Sequence, residues 1–154
     1  MQETVFIPVI FIGAIVAFIA FWLGIVYMIS RIGGWAGLAE QFPATGRIQG
    51  SVYRFCSARL KFMTSYSNCM TVIVSPSGLY MEPMILFRFG HSPILIPRRA
   101  IVDYDVGSLP FFRSVRLTIQ KPNSAQTISV RLYGRGLSDE LEQWLGGPQL
   151  SGRI

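Results

Sequence analysis

The 154-residue chain has one histidine, two cysteines, and not a single charged or amide side chain between Val5 and Ile29. Each shortage removes a class of explanation. Any Ser-His-Asp or Cys-His mechanism would have to run through His91, which sits between Gly90 and Ser92-Pro93, a turn setting in which a histidine caps backbone groups. Cys56 and Cys69 are too far in sequence from each other and from His91 to form the close pair that anchors a zinc site. Two cysteines make no disulfide framework, though a single bridge stays open. The glycines of Gly33-Gly34-Trp35-Ala36-Gly37 lack the spacing and the lysine of a phosphate-cradling loop. Asp103 and Asp105 share one strand face with Val102, Tyr104 and Val106 on the other, which reads as a solvated surface rather than an acid–base pair. The expectation is a protein that is not an enzyme and carries no cofactor and no metal.

What is present begins with the charge-free run itself. Its 25 residues exceed the roughly 20 that a helix needs to cross a bilayer, so Val5–Ile29 is expected to be a transmembrane helix after a short tail, 1–4. A secretory signal would put Lys or Arg before the run and small residues at a cleavage site. Here Met-Gln-Glu-Thr precedes it and Tyr27-Met28-Ile29-Ser30-Arg31 ends it. Gly13, Ala17, Ala20 and Gly24, spaced four, three and four apart, fall on one stripe, with Phe11, Ile15, Phe18, Trp22 and Val26 opposite. Small residues let helix backbones approach closely in lipid, so the stripe is expected to dock a second copy or another membrane subunit.

All fourteen Lys and Arg follow the run, whereas Glu3 precedes it. Positive charge next to a span favours the cytoplasmic side, which sets the N-terminus outside an inner membrane and the remainder in the cytoplasm. The formal net charge of +6 suits anionic lipid or an acidic partner. The basic residues are scattered singly and carry no nucleic-acid motif, so nucleic acid is not expected as a partner.

Past Arg31, Trp35, Leu38, Ala39 and Phe42 recur at helical spacing before Pro43. Residues 30–46 are therefore expected to be a short interfacial helix and linker, anchored at the headgroups by Arg31, Trp35, Leu38 and Phe42. The same face would equally suit packing on the following domain. From 47 to 146 the period becomes two. Strands are expected around Leu60 and Phe62, at Cys69 to Val74, at Leu79 to Glu82, at Pro93 to Pro97, at Ile101 to Val106, and in a hairpin carrying Val115, Leu117 and Ile119, then Ile128, Val130 and Leu132. A last helix carries Leu137, Leu141, Trp144 and Leu145 on one face, with Ser138 placed to cap it and Asp139 and Glu140 in its first turn, and it stops at Gly146-Gly147-Pro148; 147–154 is a tail. The fold class is α+β, mainly β, with two packed sheets or an open barrel plugged by the helix.

Seven strands and a terminal helix, with Gly78-Leu79-Tyr80 and Arg88-Phe89-Gly90-His91-Ser92-Pro93-Ile94-Leu95-Ile96-Pro97, resemble the pleckstrin-homology-like (PH/GRAM-like) domains of small bacterial membrane-anchored proteins over about Ser57 to Leu145. The superfold hosts lipid binders, peptide binders and scaffolds. Its phosphoinositide-binding members carry basic residues on both sides of the first hairpin loop. Here Arg59 and Lys61 precede the loop, taken as Thr64 to Asn68, and no basic residue follows before Arg88.

The function expected is that of a non-enzymatic, single-span accessory or scaffold subunit of a larger inner-membrane complex, such as a respiratory or photosynthetic assembly. The alternative is a membrane-tethered module that binds lipid or peptide, with Arg59, Lys61, Arg98 and Arg99 as contact residues; an enzyme is the distant third.

Overall fold

The computed structural model describes residues 3–46, 48–61, 64–109 and 112–146. A single helix, α1 (Glu3–Ile32), takes up the charge-free run and extends it by a turn at its C-terminal end. Its stretch Phe6–Ile32, 27 residues, is long and apolar enough to cross a membrane, and nearly all of it is exposed in the isolated chain. After Gly33-Gly34 comes α2 (Trp35–Gln41), entered through Gly34 in the left-handed region at φ 83°.

The strands follow the period-two segments. They are β1 (Ser51–Lys61), β2 (Thr64–Ser75), β3 (Gly78–Pro83), β4 (Ile94–Pro97), β5 (Ile101–Leu109), β6 (Phe112–Gln120) and β7 (Thr127–Tyr133), closed by α3 (Leu137–Gly146). Among the described residues they make one antiparallel sheet in the order β4-β3-β2-β1-β7-β6-β5, open at the β4 and β5 edges. Alternation explains the core. Val115, Leu117 and Ile119 of β6 and Val130 and Leu132 of β7 are buried, and the residues between them turn outward. Leu137, Leu141 and Leu145 of α3 cover that inner face.

The central strand β1 bends. It follows β2 along its length and, among the described residues, pairs with β7 at Ser57, Ala58 and Arg59. Its register with β2 shifts between Tyr53 and Cys56, around Phe55 at φ 56°, and Asn68 on β2 sits at φ 52°. Both are conformations that L residues seldom adopt, and such bulges sharpen twist and re-aim a strand.

Three expectations change. The α2 face set at the headgroups turns to the sheet instead: Trp35, Leu38, Ala39 and Phe42 belong to the buried core, so the folded unit starts before residue 47. Full burial of a side chain such as Leu38 or Phe42 returns about 1.5–3 kcal/mol, whereas a headgroup position would leave part of it in polar surroundings. Thr64 to Asn68, expected as a loop, is strand, with Thr64, Ser65 and Tyr66 opposite Lys61, Arg59 and Ala58. Ser138 does not cap α3 but lies within it, its hydroxyl donating to the Arg113 carbonyl at 3.2 Å. Arg47, Phe62 and the tail from Gly147 lie outside the described residues.

Candidate membrane-docking site

Where α1 meets the sheet, a connection climbs back along the helix. After β3 the chain enters a short 3-10 turn, Ile85–Phe87, then runs through Arg88, Phe89 and Gly90 to His91. Its partners on α1 run in the same order, Trp22 first and Ser30 last. Ser30 Oγ donates to the Gly90 carbonyl, the Tyr27 and Phe89 rings lie 6.3 Å apart, and Trp22 meets the Phe87 ring at 5.8 Å while its Nε1 donates to the Leu86 carbonyl over a long 3.5 Å. Trp22, Val26 and Ser30 stand four residues apart and so form one ridge. Val26 and Ser30 are buried beneath the connection. Gly90, at φ 72°, permits the closest approach, since an added Cβ would lie 2.9 Å from Tyr27 Cδ2.

A buried aromatic group pins this connection to the core. Trp35, Tyr66 and His91 have ring centroids 5.4 to 5.7 Å apart. Trp35 Nε1 donates to the Ser92 carbonyl at 2.8 Å. His91 Nδ1 lies 3.1 Å from the Phe89 carbonyl, which can only accept, so Nδ1 carries the proton and Nε2 accepts from the Tyr66 hydroxyl at 3.0 Å. Burial lowers the His91 pKa, with the Phe89 carbonyl opposing the shift, and burial pushes the Tyr66 phenol well above its ordinary range.

The other sequence-selected residues disperse. Gly13, Ala17, Ala20 and Gly24 are exposed along α1, and nothing lies within 4 Å of a Cβ added at Gly13 or Gly24. Arg31 pairs with Glu40 of α2 at 3.6 Å, an exposed pair of small energetic weight. Arg98, expected as a contact residue, is engaged within the fold: its guanidinium lies over the Trp144 ring, 5.5 Å from its centre, and donates to the Leu145 carbonyl at 3.1 Å, tying the β4–β5 connection to the end of α3. Arg99 beside it is exposed, in a groove shared with Phe42 and Pro122. The side chain of Lys61 lies outside the described residues. Asp103 and Asp105 are exposed; Asp103 Oδ1 accepts from the Tyr104 amide at 2.9 Å, and Val102 and Tyr104 on the opposite face are exposed too, because β5 is an edge. Cys56 and Cys69 are free and buried, burial pushing the Cys56 thiol up to about 11. Among the described residues no group of three His, Cys, Asp or Glu could hold a metal ion.

Strand order assembles what sequence spacing hides. Arg59 on β1 faces Arg131 on β7, which faces Arg116 on β6, which faces Asp105 on the β5 edge. Directly opposed residues share a face, and their neighbours Ala58, Leu132, Val115 and Leu117 are buried, so the row lies on the outer face of the sheet. The contacts of Trp22 and Tyr27 with the 85–90 connection also escape a linear reading. The signal that could have found them is the string Ile85-Leu86-Phe87-Arg88-Phe89, unusually apolar for a connection between Pro83 and Gly90. Comparison with protein-family models and with curated proteins finds no match for this chain.

Proposed function

We propose that this chain is a non-enzymatic, single-span membrane subunit that docks to a neighbouring membrane helix, a second copy or another subunit, through Gly13, Ala17, Ala20 and Gly24. One observation carries this reading. The domain rests on the bulky ridge of α1, at Trp22, Val26 and Ser30, and the small-residue stripe lies roughly 150° away around the helix at 100° per residue. The chain's own domain therefore leaves free the face best suited to close helix approach.

Other features support the same reading. Both ring nitrogens of the single histidine are engaged inside the core, and Asp103 is occupied with backbone. The strand order and closing helix fit the pleckstrin-homology-like resemblance, whose members include scaffolds. The position of Arg31 at the end of α1, with the basic domain beyond it, supports a cytoplasmic domain and an external N-terminus in an inner membrane. The outer-face row Arg59, Arg131 and Arg116 favours an acidic surface on whatever protein the domain meets.

The test is leucine at all four stripe positions in the full-length protein, extracted in mild detergent and sized on native gels. Association with a partner or a second copy is expected to be lost while the domain stays folded. Unchanged association would remove the stripe from the account, and leucine replacing Phe18, on the opposite side of α1, serves as the control.

A further inference from the structure

We infer that the connection from Met84 to Phe89 is a wedge that enters the bilayer beside α1, with lipid of the adjoining leaflet covering Ile85, Leu86 and Phe89. The inference rests on α1 crossing the membrane. The three side chains are 79%, 67% and 52% exposed, although the connection that carries them leads directly into the buried group of His91, Trp35 and Tyr66. Exposure of this kind in water is unfavourable for so compact a group, and it asks for an apolar surrounding.

Depth identifies the surrounding. The charge-free run Val5–Ile29 is about 37 Å long at 1.5 Å per residue, against a hydrocarbon core of about 30 Å. Centring one on the other puts Tyr27 at the boundary and Trp22 about 7 Å inside it. Phe89 packs on Tyr27, and Leu86 and Phe87 pack on Trp22, so the connection crosses the headgroup level and its tip reaches the upper acyl chains.

The backbone is prepared for that depth. Lipid offers no partners to N–H and C=O groups, so irregular chain is tolerated there only when its polar groups are satisfied within the protein. The Phe87 amide donates to the Met84 carbonyl at 2.8 Å, the Arg88 amide to the Ile85 carbonyl at 3.3 Å, and the Leu86 carbonyl accepts from Trp22. Arg88, in the middle of the string, carries no charge into the wedge's apolar face. Its guanidinium lies 2.9 Å from the Glu82 carboxylate and lines, with Arg54, a cleft of about 280 Å³ beside the wedge.

The experiment places an environment-sensitive fluorophore on single introduced cysteines, Ile85→Cys and Leu86→Cys, in full-length protein reconstituted into phosphatidylcholine–phosphatidylglycerol vesicles. Ser77→Cys in the distal β2–β3 turn and Ile12→Cys in α1 are the references. Cys56 and Cys69 are buried, so the unsubstituted protein gives the labelling background. Labels at 85 and 86 are expected to be quenched by lipids bearing shallow nitroxides and to be several-fold less sensitive to aqueous iodide than the label at 77. Iodide sensitivity at 85 and 86 equal to that at 77, with the Ile12 label still quenched from lipid, would overturn the wedge and leave the span intact. Shielding of 85 and 86 from both quenchers would overturn it in favour of a protein cover. Iodide access at Ile12 would overturn the membrane crossing itself, and the wedge with it.

Discussion

The hydroxyl of Tyr66 donates to Nε2 of His91 at 3.0 Å, while Nδ1 of the same ring is held by the Phe89 carbonyl, so the one histidine of the chain is a neutral strut inside the core. Burial lowers its pKa below the ordinary 6.5 that it regains on unfolding. The unfolded chain then binds the proton first as pH falls. The contribution to stability is complete above about pH 6.5 and is lost as pH drops from there through the folded value. Denaturant unfolding of the full-length protein in detergent, followed by tryptophan emission, should show decreasing stability from pH 7 to 5.5, above the range in which ordinary carboxylates titrate. His91→Gln should flatten that dependence. Tyr66→Phe, which leaves buried Nε2 without its donor, should cost about 1–3 kcal/mol at pH 7.5.

Three guanidiniums opposed across β1, β7 and β6 are a cost to the isolated fold. Like charges directly opposite one another on a sheet are destabilising, with pair effects of about 0.2–1 kcal/mol, and Arg131 takes part in two such pairs. Arg131→Thr, which also suits a strand, should therefore raise stability by a few tenths to about 1 kcal/mol at low ionic strength. At 0.5 M salt, or about that, the gain should shrink because exposed charges are screened. If stability rises and association with an acidic partner falls in the same variant, the row is retained for binding at the expense of the fold.

Arg98 closes the sheet against the last helix. Its guanidinium covers Trp144 and satisfies the carbonyl of Leu145, one of the C-terminal acceptors that α3 leaves unpaired. Arg98→Ala should destabilise by about 1–3 kcal/mol and red-shift Trp144 emission as the ring gains water. Arg98→Lys should recover only part of this, since a point charge on a flexible stem cannot both stack and donate along a fixed plane.

The parts of this architecture legible in sequence are those set by local period. A charge-free run has one stable arrangement in lipid, and alternation at Val115 to Ile119 and Ile128 to Leu132 has one in a half-wet sheet. Patterns that serve two surroundings equally do not decide between them. Trp35, Leu38 and Phe42 present the same stripe to headgroups or to a sheet, and the sheet won because it could bury all of them. The polar string Thr64-Ser65-Tyr66-Ser67-Asn68 looks like a loop until Tyr66 finds Trp35 and His91. The Arg59–Arg131–Arg116 row could not be seen at all, because it depends on β7 lying between β1 and β6. The climb of residues 86–90 along α1 likewise joins segments some sixty positions apart.

That climb turns on Gly90. The residue holds φ at 72°, which costs an L side chain roughly 1–2 kcal/mol, and a Cβ there would meet the edge of the Tyr27 ring at 2.9 Å. Gly90→Ala should thus push the connection off α1, weakening the Ser30 bond to the Gly90 carbonyl and the tilted ring contact of Phe89 with Tyr27. Trypsin cleavage after Arg88, in detergent, measures the lifting directly and should be faster in the alanine variant; Gly90→Asn should be faster too, because asparagine tolerates the left-handed region but brings the same Cβ against Tyr27. Gly13→Ala is the contrasting case. Nothing lies within 4 Å of its added methyl and its backbone is ordinary helix, so cleavage at Arg88 should be unchanged there. Equal cleavage rates in the Gly90 and Gly13 alanine variants would mean that the connection is held by the buried Trp35–Tyr66–His91 group alone, and not by its seat on the helix.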